Sequence, residues 1–372
     1  MTGPCIALDL TITRLGRGGP AVYADRLAHA LTPLLAGQLV RLASRLAAPL
    51  GARRSAADRF RTLGRDLWWH QVGVSLAARR AGADLLHLPA GLGPIRPLLP
   101  TVVTIHDDIV LRFPHLFRPW QRQYARVVLP RLARSAAALI TGSDAARADL
   151  VERLGIPAHR ITVVHNGVDA AFTPLAADSE EARTVAARYR LPPAFVLTVG
   201  ALEPRKNLPR VLQAVHRLRS EAATANVSLV HAGPEGWLAD DVPRTIDALG
   251  LSEATRFLGY VSAQDLRALY SLARVFLYPS LWEGFGLPVA EAMACGCPVV
   301  TSCASALPEV AGDAALLVNP ESVEEIRAAI ERLWSDEALR RDLTARGRER
   351  ARTFSWERTA RETLAVYERA LS

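Results

Sequence analysis

Lysine is nearly missing from this chain. Of its 45 basic residues 44 are arginine, and Lys206 is the single lysine among 372 residues. Cysteine is also scarce: Cys5, Cys295, Cys297 and Cys303 are too few for a disulfide framework in a chain this long. Aromatic residues make up only 6% and no RNA- or DNA-binding motif appears, which argues against nucleic-acid recognition despite a net charge of +8. Long apolar runs are absent, since even residues 31–50 are broken by Arg41 and Arg45, so nothing is expected to span a bilayer. The opening MTGPCIALDL has no basic segment and carries Asp9 inside its apolar run, unlike a signal peptide. A cytoplasmic protein is expected.

What the chain does have is alternation. In the first half, the short apolar runs CIALDL, QLVRLAS, DLLHLP, TVVTIHD, AAALITGS and ITVVHNG alternate with helical patterns over residues 19–35, 118–134 and 144–154. A long arginine-rich helical stretch follows QLVRLAS. Such runs predict parallel strands with helices on both faces of a sheet. Residues 169–179, DAAFTPLAADS, lose periodicity and read as a linker. The pattern then restarts with AFVLTVG, VSLVHAG, RFLGYV, VFLYPS, PVVTS and AALLV, and helices are expected over 207–221, 263–273, 288–294, 322–334 and 336–353. The expected fold is α/β: two doubly wound, Rossmann-like domains, residues 1–175 and 176–354, facing a central cleft lined by strand carboxyl ends. Charge separates the halves. Residues 1–180 hold 22 arginines against 13 acids, whereas residues 181–372 hold 23 basic residues against 24 acids. An anionic partner would therefore meet the first half.

Two segments of the second half carry chemistry. The lone lysine lies in VGALEPRKNL, in the loop after the strand AFVLTV ends at Gly200. Loops at strand carboxyl ends are where such sheets bind ligands. Arg205 and Lys206 together match the two charges of a diphosphate, and an ammonium is the more compact donor at a crowded phosphate. The plain alternative is a stray surface lysine in an arginine-biased chain. In PSLWEGFGLPVAEAMACGCPVV, a strand gives way to the turn Gly284-Phe285-Gly286 and Pro288 opens a helix. The amides around Gly284, Phe285, Gly286 and Leu287 then form an anion site backed by the helix dipole. Glu283 and Glu291 flank that turn eight positions apart, where carboxylates suit the hydroxyls of a ribose or hexose better than a phosphate. Glu291 is otherwise simply a favourable acid near a helix start.

These residues resemble glycosyltransferase family four, retaining enzymes of the GT-B fold, most closely its bacterial mannosyltransferases of polysaccharide biosynthesis. EGFGLPVAEAMACGCPVV and VGALEPRKNL carry the likeness, joined by TGSDAARADLVERLGIPAHRITVVHNGVD, LVHAGPEGW, RFLGYVSAQDLRALYSLARVFLYPS, ALPEVAGDAALLVNP, GRGGPAVYADRLAHAL and TIHD. It extends over nearly the whole chain and is weakest over residues 39–80, which in such proteins face the acceptor. The resemblance implies that residues 1–175 take the acceptor, that residues 176–354 take the nucleotide sugar, and that a last helix over 355–372 crosses back to the first domain. It implies that Arg205 and Lys206 hold the diphosphate leaving group, and that Glu291 accepts from the ribose. Glu283, with the amides of Phe285, Gly286 and Leu287, would meet the transferred sugar and distal phosphate. Gly19 would bring its amide to the phosphates from the other domain, and His106 would lie beside the sugar. The plainer alternative for His106 is a structural partner of Asp107, and Ser143 and Asn166 read evenly as cleft-facing or merely structural. No cofactor and no metal is expected, and the chain has no Asp-x-Asp motif.

Other readings are weaker. Residues 16–21 satisfy G-x-G-x-x-A, but they lie six residues beyond the first strand and no acid ends QLVRLAS, as a dinucleotide site needs. A pyridoxal phosphate lysine would be buried rather than placed in a diphosphate loop. Cys295, Cys297 and Cys303 are better explained by small residues packing a helix on a strand than by a metal. The donor stays open between GDP-mannose, UDP-glucose or another UDP-hexose, and a deoxysugar nucleotide; the acceptor is a glycan or lipid-linked sugar. A subunit that binds the sugar nucleotide without transferring it is the remaining alternative. RRSAADRFRTLGRDLWWH and LRFPHLFRPWQRQYARVVLPRLAR mix arginine with Trp68, Trp69, Phe113, Phe117, Trp120 and Tyr124. That surface suits peripheral contact with an anionic membrane, or is simply a solvated arginine-rich helix face.

Overall fold

In a computed structural model of the chain the described residues are 3–16, 18–44, 67–117, 119–236 and 241–372. Most of the basic segment starting at Arg53 lies outside them, as do Arg17, Arg118 and Trp237. The chain divides into two compact units, Met1–Gly167 with Ser355–Ser372, and Val168–Phe354. The residues expected to form a linker belong to the second unit. Val168 and Phe172 are buried in its core, with the Phe172 ring 6.0 Å from that of Tyr270. Within the stretch expected to be a linker, Phe172 is the buried anchor, and Leu175 packs against the same core.

In the first unit, β1 (Ile6–Asp9), β2 (Leu39–Leu42), β3 (Leu85–Leu88), β4 (Thr101–Thr104), β5 (Ala138–Thr141) and β6 (Ile161–Val163) form one parallel sheet ordered β2-β1-β3-β4-β5-β6. Side chains alternate between its faces. Ala7, Leu86, Val103 and Leu139 pack one face with Val74, Leu132 and Leu150. Ile6, Leu85, Val102 and Ile140 pack the other with Leu27, Leu31 and Val366. The helix Trp356–Leu371 is part of this second face, and the Tyr367 phenol bonds the buried His87 ring at 2.7 Å. Burial brings that imidazole down to about 3, so it is neutral.

One expected helix is not regular. Residues 118–134 give a helix Pro119–Gln123, a wide turn Tyr124–Val128 and a helix Leu129–Ser135. Pro130 accounts for the widening: it has no amide to donate, and its ring pushes away the carbonyl four residues earlier.

In the second unit, β7 (Val196–Val199), β8 (Leu229–Ala232), β9 (Thr255–Phe257), β10 (Val275–Tyr278), β11 (Val299–Ser302) and β12 (Ala315–Val318) form a second parallel sheet ordered β12-β11-β10-β7-β8-β9. The chain runs outward from β7 to β9, returns to the other side of β7 as β10, and runs outward again. The crevice beyond the carboxyl ends of β7 and β10 is thus the topological switch point, the place where open sheets of this type take ligands. Along β10, Val275 and Leu277 enter one core while Phe276 and Tyr278 enter the other.

Candidate active site

The loop after β7 turns sharply. Gly200 has φ +136°, and a methyl group there would stand 3.0 Å from Cε of Lys206, so the lysine stem lies across the glycine. A short turn over Pro204–Lys206 then leads to Asn207 at φ +64°. The buried Asn207 amide donates to the carbonyls of Pro279 (3.0 Å) and Pro320 (2.6 Å), tying this loop to the ends of β10 and β12. The Leu281 amide adds a bond to the Arg205 carbonyl at 2.8 Å.

Lys206 is therefore not a stray surface residue. Its side chain is 11% exposed, and its ammonium donates to Glu283 Oε1 at 2.6 Å and to the Tyr278 phenol. Arg205 reaches the same Glu283 oxygen with Nη1 at 2.7 Å and holds Glu203 with Nε at 2.8 Å. The Tyr278 phenol donates onward to Glu283 Oε1 at 3.0 Å, and the ammonium lies 4.6 Å from the Tyr278 ring centre. Three donors thus converge on one carboxylate oxygen. Burial and the Arg205 guanidinium bring the Lys206 ammonium down to about 8. Burial pushes the Glu283 carboxyl up, but Arg205 and Lys206 outweigh it and hold the group at about 2. Burial, then Glu283, raises Tyr278 well above its ordinary range, so the phenol stays protonated. Two cations, pinned by two carboxylates and a phenol, stand ready to exchange those partners for a diphosphate.

Glu283 thus has its carboxylate bound to the cation pair. Its backbone is clamped as well, the amide donating to Ser305 Oγ at 3.0 Å. The following turn ends at Gly286, φ +102°, and a methyl group there would lie 2.6 Å from Leu307 Cδ2. The helix Leu287–Ala294 starts one residue earlier than expected, with Pro288 in its second position. The amides of Gly286 and Leu287 make no hydrogen bond among the described residues, leaving two donors at the helix start. The Phe285 ring is buried against Phe354 at 5.5 Å, so only its backbone could serve a ligand. Glu291 accepts from the buried Tyr270 phenol at 3.2 Å. Gly200, Arg205, Lys206 and Glu283 are gathered into one cluster, and Glu291 is positioned by Tyr270.

Gly19 and His106 belong to the first unit. Gly19 opens the helix Gly19–Leu31, with open space where a side chain would begin. His106 donates from Nε2 to the Pro89 carbonyl at 2.8 Å, and its ring meets Tyr23 of that helix edge-on at 4.7 Å. Burial brings this imidazole down to about 4, so at neutral pH Nδ1 is an acceptor. Ser143 is not cleft-facing: it is fully buried and caps the helix Asp144–Leu154 by accepting from the Ala146 amide at 3.0 Å. Asn166 is buried too, and its Oδ1 has no hydrogen-bond partner among the described residues. Cys295 and Cys297 are buried free thiols, both raised by burial, consistent with packing roles.

Sequence reasoning missed Tyr278, Asn207 and Ser305. Tyr278 had a weak signal, a polar-tipped aromatic as the last residue of a strand. Asn207 had a better one, an asparagine between a turn and a proline-opened helix. Ser305 had none.

Two six-stranded Rossmann-type sheets define the GT-B class of glycosyltransferases. The family model "Glycosyltransferase Family 4" matches residues 17–172, and "Glycosyl transferases group 1" matches residues 184–350. The chain belongs to this glycosyltransferase family. It is 37% identical to O-antigen chain mannosyltransferase B of Escherichia coli over 268 residues, covering 72% of this chain and 69% of that one. It is 35% identical to the MMP α-(1→4)-mannosyltransferase of Mycolicibacterium hassiacum over 320 residues, 80% and 73% of the two chains. Among solved structures, Anabaena Alr3699/HepE in complex with UDP and glucose matches with a TM-score of 0.75 at 17% identity, covering 98% of this chain and 100% of that one.

Proposed function

We propose that the chain is a retaining mannosyltransferase that moves the hexose of GDP-mannose to a glycan or lipid-linked sugar. The Lys206–Arg205–Glu283–Tyr278 cluster at the β7/β10 switch point carries the proposal, because it is built to receive a diphosphate. The two relatives named as mannosyltransferases support the sugar. UDP-glucose is the second reading, favoured by the UDP and glucose bound in the HepE structure.

Departure of the nucleoside diphosphate builds negative charge on the distal phosphate while the sugar becomes oxocarbenium-like. When the donor binds, Arg205 and Lys206 turn from Glu283 to the phosphates, and the amides of Gly286 and Leu287 point at the same charge. Tyr278 keeps its bond to Glu283, so the buried carboxylate is not left bare. Glu291 accepts from the ribose hydroxyls, and the neutral His106 offers Nδ1 to a sugar hydroxyl. The Gly19 amide approaches the phosphates. The acceptor hydroxyl attacks from the side the diphosphate leaves, its proton passes to a phosphate oxygen, and the new glycosidic bond replaces the sugar–phosphate bond with retention. Two cations take the role a metal ion plays in other transferases, and no cofactor enters.

A cytoplasmic enzyme with its basic first half against an anionic membrane completes the proposal. Leu67, Trp68, Val72 and Trp120 are large exposed side chains there, and no helix of the described residues is long and apolar enough to cross a membrane. A thermal-shift panel of GDP, UDP, dTDP and their sugars tests the donor, because a tight ligand raises the midpoint by mass action. Shifts with GDP and GDP-mannose, lost in Lys206→Ala, are expected. A panel without any shift, or full transferase activity in Lys206→Ala, would refute the assignment.

A further inference from the structure

The second sheet has a charged groove at the end opposite the switch point. Arg274 directly precedes β10, and the helix Glu337–Ala351 forms the facing wall. The groove has a volume of about 440 Å³, and its polar lining is Arg274, Arg340, Arg341, Arg348, Glu337 and Thr344. Positions 337, 340, 341, 344 and 348 recur at three- and four-residue spacing, so they form one stripe of the helix. Leu343, Gly347 and Ala351 form the face that this helix buries, and the arginine-rich stripe flanks it, with Arg341 and Arg348 exposed and Arg340 half-buried.

Two of these arginines are fixed in place. Arg274 donates from Nε and Nη2 to the Trp334 carbonyl at 2.9 and 2.6 Å, with its guanidinium 5.2 Å from the Trp334 ring. Arg340 donates from Nη1 to the carbonyls of Leu333 and Trp334 at 2.8 and 3.0 Å. Both guanidiniums therefore converge on the end of the helix Val323–Ser335. Capping that helix uses only part of each fork, leaving Arg274 Nη1 and Arg340 Nε and Nη2 to other partners. Glu337 is the sole carboxylate of the lining, and Arg341 is already paired with it. Arg348 is exposed and has no ion-pair partner among the described residues. Burial, then the neighbouring Arg340, lowers the pKa of Arg274, and Glu337 opposes the shift.

We propose that this groove is a second anion site, distinct from the donor site, that takes a ligand bearing two phosphate groups. Several planar forks favour phosphate oxygens over a single carboxylate, and a groove of this volume exceeds one inorganic phosphate. The phosphates could belong to a soluble metabolite or to a lipid headgroup.

Calorimetric titration of the full chain with pyrophosphate at low ionic strength tests the proposal. Two sites are expected for the natural protein and one for Lys206→Ala. Adding Arg341→Gln and Arg348→Gln to Lys206→Ala should weaken the remaining site at least about tenfold, from the loss of charge-assisted hydrogen bonds. Neither of these arginines caps the helix Val323–Ser335, so this variant keeps the fold; Arg340→Gln serves as a stronger second variant, its folding checked by circular dichroism. Abolition of all pyrophosphate binding by Lys206→Ala alone would overturn the groove site, as would unchanged binding in the combined variant. Retention of full binding in Lys206→Ala with complete loss in Arg341→Gln/Arg348→Gln would instead refute the donor site and leave the groove standing. Flotation with phosphatidic acid vesicles separates the sources: weaker vesicle binding by Arg341→Gln/Arg348→Gln assigns a lipid headgroup, and unchanged vesicle binding assigns a soluble phosphate.

Discussion

Raising the pH should switch off donor binding before it harms the fold. The Lys206 ammonium sits at about 8 because burial and Arg205 both disfavour its charge. Only the protonated form can hold a phosphate. One unit above that midpoint about a tenth of the molecules retain the charge, so kcat/KM for the donor should fall about fivefold from pH 8 to 9 and about tenfold from pH 9 to 10. Stability moves the other way over the same interval. The folded pKa of Lys206 lies below its ordinary 10.5, so between about 8 and 10.5 the unfolded chain binds more protons and this group's contribution to stability rises with pH. Glu283, held at about 2 against an ordinary 4.5, stabilises the fold above 4.5, and that contribution is lost as pH falls through 4.5 towards 2. Neither group therefore predicts alkaline unfolding. The assay is release of nucleoside diphosphate at limiting donor from pH 6 to 10, with the thermal midpoint recorded at each pH. Lys206→Arg should be less active overall, because its larger head must cross Gly200, but its alkaline limb should vanish since a guanidinium stays charged. A flat natural profile to pH 10, or the same limb in Lys206→Arg, would refute the assignment of Lys206 as the phosphate ligand.

Tyr278→Phe removes the phenol that bridges Lys206 and Glu283, and the loss of a hydrogen bond to a buried charge should cost about 1.5–3 kcal/mol in kcat/KM for the donor while the circular dichroism spectrum is kept. Gly286→Ala places a methyl group 2.6 Å from Leu307 in left-handed backbone, so the thermal midpoint should drop by an amount equivalent to about 1–3 kcal/mol; an unchanged midpoint would contradict the turn geometry. Ser143→Ala deletes a helix cap and should lose about 0.5–2 kcal/mol in urea denaturation with kcat/KM unaltered, whereas a large kinetic defect would restore Ser143 to the cleft.

Much of the organisation was legible in local patterns. Apolar runs such as AFVLTVG and VFLYPS became β7 and β10, because a β-branched, half-turn periodicity expresses itself wherever the segment lies. The solitary lysine and the glycine turn marked the site on chemical grounds, and the family resemblance met matching family models over both halves. Tertiary structure alone decided the partnerships. Lys206 meets Tyr278 and Glu283 across separations of 72 and 77 residues because the chain returns beside β7 rather than beyond β9. That choice depends on which faces bury together, which no window of sequence contains. It made Glu283 the counter-ion of a cation pair, drew Phe172 out of an expected linker, and gave Ser143 to a helix cap. The residue types able to hold a phosphate are written along the chain. Which of them stand within hydrogen-bond reach of one another is set by the order of the strands.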